Sequence, residues 1–198
     1  MAATTRGRPR SFDRGTALAA ATRLFWERGY HATSLSDLTT AMGIRSASLY
    51  KAFGDKPSLF REAVDFYSAT PHAAFVRRAL DESPTARTAF DRILHDAAKI
   101  YPDPAHPPGC LIITAATNIT EQDAEVESYL RDIRNANLQE FHNRLEVAKE
   151  TGELPSDSDS GALANFFAVV IQGMSQRARD GATAADLVHV ADLAMKAF

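Results

Sequence analysis

Three observations predict that this 198-residue chain is all-α. Nearly every informative window repeats its apolar residues with helical spacing, and no stretch alternates apolar and polar residues as a half-buried strand would. Glycines and prolines then cut the pattern into short helices near the N-terminus and longer ones behind. The expected architecture is an N-terminal three-helix unit containing a helix-turn-helix, followed by a C-terminal α-helical bundle. The length suits one large domain or two modest ones.

Taken in order, Asp13 is placed to cap a first helix with Phe12 as its staple, an apolar face of Leu18, Ala21, Leu24 and Phe25, and Gly29 as its stop. Ser34 and Asp37 have capping-box spacing and open a short second helix, with Leu35, Leu38, Ala41 and Met42 inward. Gly43 stops that helix, Ile44 is expected as a buried anchor, and a third short helix carries Leu49, Tyr50 and Phe53 up to Gly54. Asp55 and Pro57 begin a fourth helix that runs to a break at Thr70-Pro71. Further helices are expected over 85–101 and, short and buried, over 109–118, with the proline-rich 102–108 as a loop between them. A long amphipathic helix of roughly 43 Å spans 123 to about 151, at ~1.5 Å per residue.

The last two helices are the most apolar. Leu163, Phe166, Phe167, Val169, Val170, Ile171 and Met174 surround theirs, and such a helix needs cover on more than one side. A second copy of the chain is the expected source of that cover. The residues expected at a homodimer interface are Phe166, Phe167, Val170, Ile171, Leu187, Val190 and Ala194.

Composition narrows the class. A hydrophobic fraction of 45% and a mean hydropathy of −0.24 suit a soluble protein with a core. No apolar run approaches the ~20 residues that span a bilayer, and no apolar stretch follows the basic start. A single cysteine, Cys110, suits a reducing compartment, so a cytoplasmic location is expected. Charge is uneven. Up to Glu62 ten Lys and Arg face five acids, a net +5, so with −3 overall the remainder carries −8. A basic end beside an acidic body is what a modular binder of polyanionic DNA needs.

Residues 35–53 have the mechanics of a helix-turn-helix. Two short helices flank a glycine, and the second presents small or polar residues outward: Arg45, Ser46, Ala47, Ser48 and Lys51. Small residues let a helix sit deep in the major groove, while Arg45 and Lys51 can reach base edges or phosphate.

Residues 15–60 resemble the DNA-binding domain of the TetR family of bacterial regulators. Phe25, Gly29, Tyr30, Thr33, Ser34, Leu38, Gly43, Ile44, Leu49, Tyr50, Phe53, Lys56, Leu59 and Phe60 fall in register with its pattern. Thr39 and Met42 depart from it, standing where alanines are usual. Arg45 replaces the usual serine cap, and Ala47 a common glycine. The resemblance implies a domain order of flexible basic arm (1–12), helix-turn-helix domain (13–55) and ligand-sensing and dimerisation domain (56–198). It implies that Thr33, Ser34 and Lys56 contact phosphates at helix starts, and that Tyr50 contacts phosphate or a thymine methyl. Arg45, Ser46 and Ser48 are expected at base edges, with Lys51 beside them and Arg8 and Arg10 as a minor-groove arm.

Beyond residue 62, Gly109-Cys110-Leu111, Gly152 to Pro155 and Ala178 to Ala182 resemble one broad subgroup of that family. The implied partners are a double-stranded palindromic operator, a second copy of the chain and an unidentified small-molecule inducer, with no membrane. The function implied is a ligand-responsive repressor. Pocket candidates are Tyr67, Phe90, Leu94, Cys110, Thr114, Phe141 and Phe166, with Thr117 and Asn118 as polar contacts. Two alternatives are a regulator triggered by oxidation or alkylation of Cys110 and a nonspecific architectural DNA binder. No cofactor, metal site or enzymatic activity is expected: there is no phosphate loop, and the six histidines have no ligand spacing.

Overall fold

The computed structural model describes residues 12–117, 120 and 123–198. Local chemistry sets its N-terminal helices. Asp13 accepts the Thr16 N–H at 2.6 Å and starts α1 (Arg14–Arg28), and Gly29, at φ +80°, ends it. Ser34 and Asp37 close a reciprocal capping box on α2 (Leu35–Met42), and left-handed Gly43 turns the chain into α3 (Ser46–Phe53). Asp55 caps α4 (Lys56–Ser68), with Pro57 in its first turn, where no backbone donor is needed.

Behind these lie α5 (Pro71–Glu82), α6 (Ala86–Ile100), the single turn α7 (Leu111–Thr114) and the 27-residue α8 (Ala124–Glu150). Then come α9 (Ser160–Arg179) and α10 (Ala184–Ala194), closed by a 3-10 turn at Met195–Ala197. The chain breaks at Thr70-Pro71 as expected. The segment after Pro71 is a full helix, whose apolar stripe of Phe75, Val76, Ala79 and Leu80 packs on the core. The expected helix over 109–118 shrinks to four residues, because Gly109 takes φ +78° and Cys110 is extended.

Two cores form. One joins α5, α6, α8, α9 and α10 around Phe90, which stacks on Phe167 at 4.4 Å and meets Phe141 edge-on at 5.1 Å. The other joins α1 to α4 with α7 and the first turns of α8, through Leu111, Ala115, Val126 and Leu130. This second core runs across residue 55, the boundary expected between the domains. Each fully buried Leu of this second core, such as Leu38 or Leu49, contributes roughly 1.5–3 kcal/mol.

The junction between the cores is tied by polar contacts. The Tyr30 N–H donates to the Ala115 carbonyl at 2.7 Å. Arg179, on α9, donates to the Trp26 and Glu27 carbonyls at the end of α1, both at 3.1 Å. Gly109 lies so close to α9 that an added Cβ would sit 2.7 Å from the Ser175 carbonyl oxygen. Glu153, after α8, accepts the first two N–H groups of α6 at 2.8 and 2.7 Å.

Gly109→Ala is expected to combine left-handed strain with overpacking of roughly 1–3 kcal/mol. Gly43→Ala, whose Cβ meets nothing within 4 Å, carries the backbone strain alone. Thermal denaturation should rank Gly109→Ala below Gly43→Ala by several degrees. Equal midpoints would contradict the close approach.

Candidate nucleic-acid interface and ligand cavity

Helix α3 is held from behind by Leu49 and Phe53, both buried, and by half-buried Ile44. Its opposite face is free. Arg45, Ser46, Ala47, Tyr50 and Lys51 are exposed together, Tyr50 at 52%, and Ser48 is half-buried at the edge. Arg45 occupies the N-cap position in extended conformation and makes no capping bond. The first N–H groups of α3 thus have no side-chain cap, and the guanidinium is free to reach outward. A helix end in that state favours phosphate.

Capping decides the fate of other expected contacts. Ser34 is exposed, but its hydroxyl donates to Asp37 at 2.6 Å and accepts the Asp37 N–H at 3.1 Å. Those bonds hold the Asp37 carboxyl below its ordinary range, with Arg28 at 3.3 Å adding to the effect. Thr33 corrects the expectation of a phosphate contact. It is fully buried, and its hydroxyl donates to the Gly29 carbonyl at 2.7 Å, so it fastens the turn after α1. Lys56 is half-buried with its ammonium 4.2 Å from the Tyr30 ring centre. Burial lowers its pKa, and Asp123 partly opposes that. Arg8 and Arg10 lie outside the described residues.

A cavity of about 300 Å³ opens between α5, α7, α8 and α9. Of the seven pocket candidates it is lined by Cys110 and Phe141 alone. Tyr67, Phe90 and Leu94 are buried in the cores, Tyr67 edge-on to Trp26 at 4.8 Å. Thr114 donates back to the Cys110 carbonyl at 2.9 Å. Phe166 faces outward and Thr117 is exposed, while Asn118 lies outside the described residues. The remaining wall includes His72, Phe75, Tyr101, Ile133 and Arg134. The signal for Arg134 was available. It is a charge in the middle of the stripe formed by Leu130, Ile133 and Phe141.

His72 connects this cavity to the N-terminal unit. Its ring meets that of His106 edge-on at 4.3 Å, and His106 stacks on Trp26 of α1 at 4.7 Å. Cys110 is part-buried, and burial pushes its thiol above the ordinary 9.0 despite help from Tyr67. Among the described residues no group of three or more His, Cys, Asp or Glu is arranged to hold a metal ion. Among them, too, no helix is long and apolar enough to cross a membrane.

The expected dimer residues separate into two sets. Phe167, Ile171, Leu187 and Ala194 are buried within their own bundle, because the inner face of α9 packs on α6 and α8 and that of α10 packs on α6 and α9. This corrects their expected place at an interface. Val170 is half-buried. The uncovered apolar face is Phe166, Val169, Val190 and Leu193, with Val169 67% and Leu193 66% exposed.

A short helix with a small, polar outer face, carried on a capped partner and backed by a helical body, defines a helix-turn-helix regulator. Residues 17–63 match the family model described as bacterial regulatory proteins, tetR family. Residues 86–192 match the one described as tetracyclin repressor-like, C-terminal domain. The HTH-type transcriptional repressor ComR of Escherichia coli (strain K12) is 33% identical over 195 residues, covering 97% of this chain and 91% of that protein. YezE of Bacillus subtilis (strain 168), an uncharacterized HTH-type transcriptional regulator, is 34% identical over 162 residues, covering 81% of this chain and 83% of its own. A cysteine mutant of the TetR family transcriptional regulator CifR, complexed with 26bp double-strand operator DNA, superposes with a TM-score of 0.91. It is 38% identical, covering 97% of this chain and 100% of that one. The chain belongs to the tetR family of bacterial regulatory proteins.

In a gel-shift series, Arg45→Ala should relax sequence preference and weaken binding by roughly 1–3 kcal/mol, as loss of a base contact does. Lys51→Ala should weaken all sequences alike and flatten the salt slope by about 1, as loss of a phosphate contact does. Unchanged binding in both would remove α3 from the groove. Native Cys110 should react with iodoacetamide at neutral pH far more slowly than free cysteine, its rate rising only in alkaline solution. A fast neutral reaction would contradict the raised thiol pKa.

Proposed function

We propose that the protein is a homodimeric repressor that holds a palindromic operator through two copies of α3 and releases it when a small molecule enters the cavity. The observation that carries this is the outer face of α3, free of its own bundle and presenting Arg45, Ser46, Ala47, Tyr50 and Lys51 together. ComR is named a transcriptional repressor, and the CifR structure contains operator DNA, which supports the same role for this chain. Arg45, Ser46 and Ser48 read base edges in this proposal. Tyr50, Lys51 and Lys56 take backbone positions, and Ser34 approaches phosphate through the N-terminus of α2.

The two copies pair through the uncovered face of α9 and α10, at Phe166, Val169, Val190 and Leu193. Apolar surface of that extent on two adjacent helices is best covered by the same surface of a two-fold mate. A two-fold dimer sets its recognition helices about 34–36 Å apart, one turn of duplex, and so selects a palindrome. The protein works on DNA in the cytoplasm and carries no catalytic function. A trigger at Cys110 is less well supported, since a protonated thiol is a poor nucleophile.

Val169→Glu combined with Leu193→Glu should convert the dimer to a folded monomer in sedimentation equilibrium and abolish the shift of a palindromic fragment. A variant that stays dimeric and binds as before would place the interface elsewhere. Selection from a random DNA pool should return an inverted repeat, and recovery of unrelated sequences would contradict specific recognition.

A further inference from the structure

The cavity wall is mostly apolar, yet its described residues include two arginines, of which Arg134 is the one bonded to α7. Arg134 stands in the middle of the α8 stripe that carries Leu130, Leu138 and Phe141. Its Nη1 donates to the Ile112 carbonyl of α7 at 2.9 Å. A guanidinium has five N–H donors, so this bond leaves most of them free for another acceptor. Desolvation lowers the Arg134 pKa, with Glu127 as the largest opposing influence, and that carboxylate sits 3.9 Å from Arg131. A guanidinium keeps its charge even so, and a partly desolvated cation beside apolar walls is relieved by an anion.

The other polar groups of the wall do not supply that anion. His72 has its pKa lowered by burial and by His106, against a smaller effect of Asp103, and its charged form is thereby disfavoured. Arg77 is exposed and pairs with Asp81 at 3.6 Å. Among the described lining residues Glu140 is the one carboxylate, and it stands about a third of a turn around α8 from Arg134. Arg77 and Arg134 against Glu140 leave the described lining residues with one positive charge in excess.

We propose that the ligand of this cavity is a carboxylate on a compact apolar body. The carboxylate is taken by Arg134, and the body lies among Phe75, Tyr101, Ile133 and Phe141. A volume of about 300 Å³ is at the lower end of ligand sites, roughly 300–1,000 Å³, and admits an arylpropionate or a medium-chain acid. The same contact supplies a regulatory route. A carboxylate that draws Arg134 away from Ile112 loosens α7, and the turn after α7 holds the Tyr30 N–H through Ala115. This route, though not the ligand class, rests on the release function proposed above.

The test is calorimetric titration of the full chain with hydrocinnamate and with octanoate, each compared with its alcohol. The acids should bind about tenfold or more tightly than the alcohols, as a charge-assisted pair requires. Arg134→Gln, which removes the charge and keeps an amide donor, should reduce that preference to about twofold, and Arg134→Lys should keep much of it. Equal affinity for acid and alcohol, no binding of either acid, or an undiminished preference in Arg134→Gln would each overturn the assignment. A gel shift at saturating hydrocinnamate separates the two claims. Tight acid binding with the operator still held supports the ligand class and contradicts release.

Discussion

The C-terminal end of α1 is gripped from two directions, and the rest of the molecule depends on that grip. Arg179, near the end of α9, satisfies the last carbonyls of α1, and the turn after α7 holds the N–H of Tyr30. These contacts, with the core shared by α4, α7 and α8, leave the N-terminal unit little freedom to swing on its own. The helix bearing the uncovered apolar face is therefore the one that clamps α1. In a dimer paired through that face, the position of one recognition helix relative to the other follows from the position of Arg179.

The cavity sits where it can alter this arrangement. Its wall includes Cys110 and Ile112, which flank and form α7, and His72, which reaches Trp26 through His106. Both routes end within a few residues of the α1 terminus, close to the carbonyls that Arg179 holds. A ligand needs to shift only the α7 turn or the His72 ring to change the seating of α1. The coupling is an equilibrium one, so operator should weaken ligand binding by the same factor that ligand weakens operator binding.

Much of this was legible in the chain itself, for identifiable reasons. Caps at Asp13, Ser34 and Asp55, and the stops at Gly29 and Gly43, are local interactions and can be read without tertiary information. The long helix α8 declared itself through its repeat. What local pattern could not give was direction. Phe167 and Ile171 are as apolar as Phe166 and Val169, and only packing against α6 and α8 turns one pair inward. Thr33 matched a family position, yet its hydroxyl serves the Gly29 carbonyl, a bond fixed by the turn. The α5 stripe of Phe75, Val76, Ala79 and Leu80 is local too, but only packing brings His72 and Phe75 to the cavity wall. The three C-terminal motifs gain physical meaning here: Gly109 permits contact with α9, Glu153 caps α6, and Arg179 clamps α1.

The spacing of the two recognition helices is the quantity on which the account stands. Spin labels placed at Thr40, on the exposed side of α2, in a Cys110→Ser background would report it by dipolar spectroscopy. With operator bound, a single narrow distance is expected, consistent with α3 helices about 34–36 Å apart. It should broaden or lengthen when Arg179→Ala releases the end of α1. A broad distribution on operator, or one indifferent to Arg179→Ala, would show that the N-terminal unit is not positioned through the clamp.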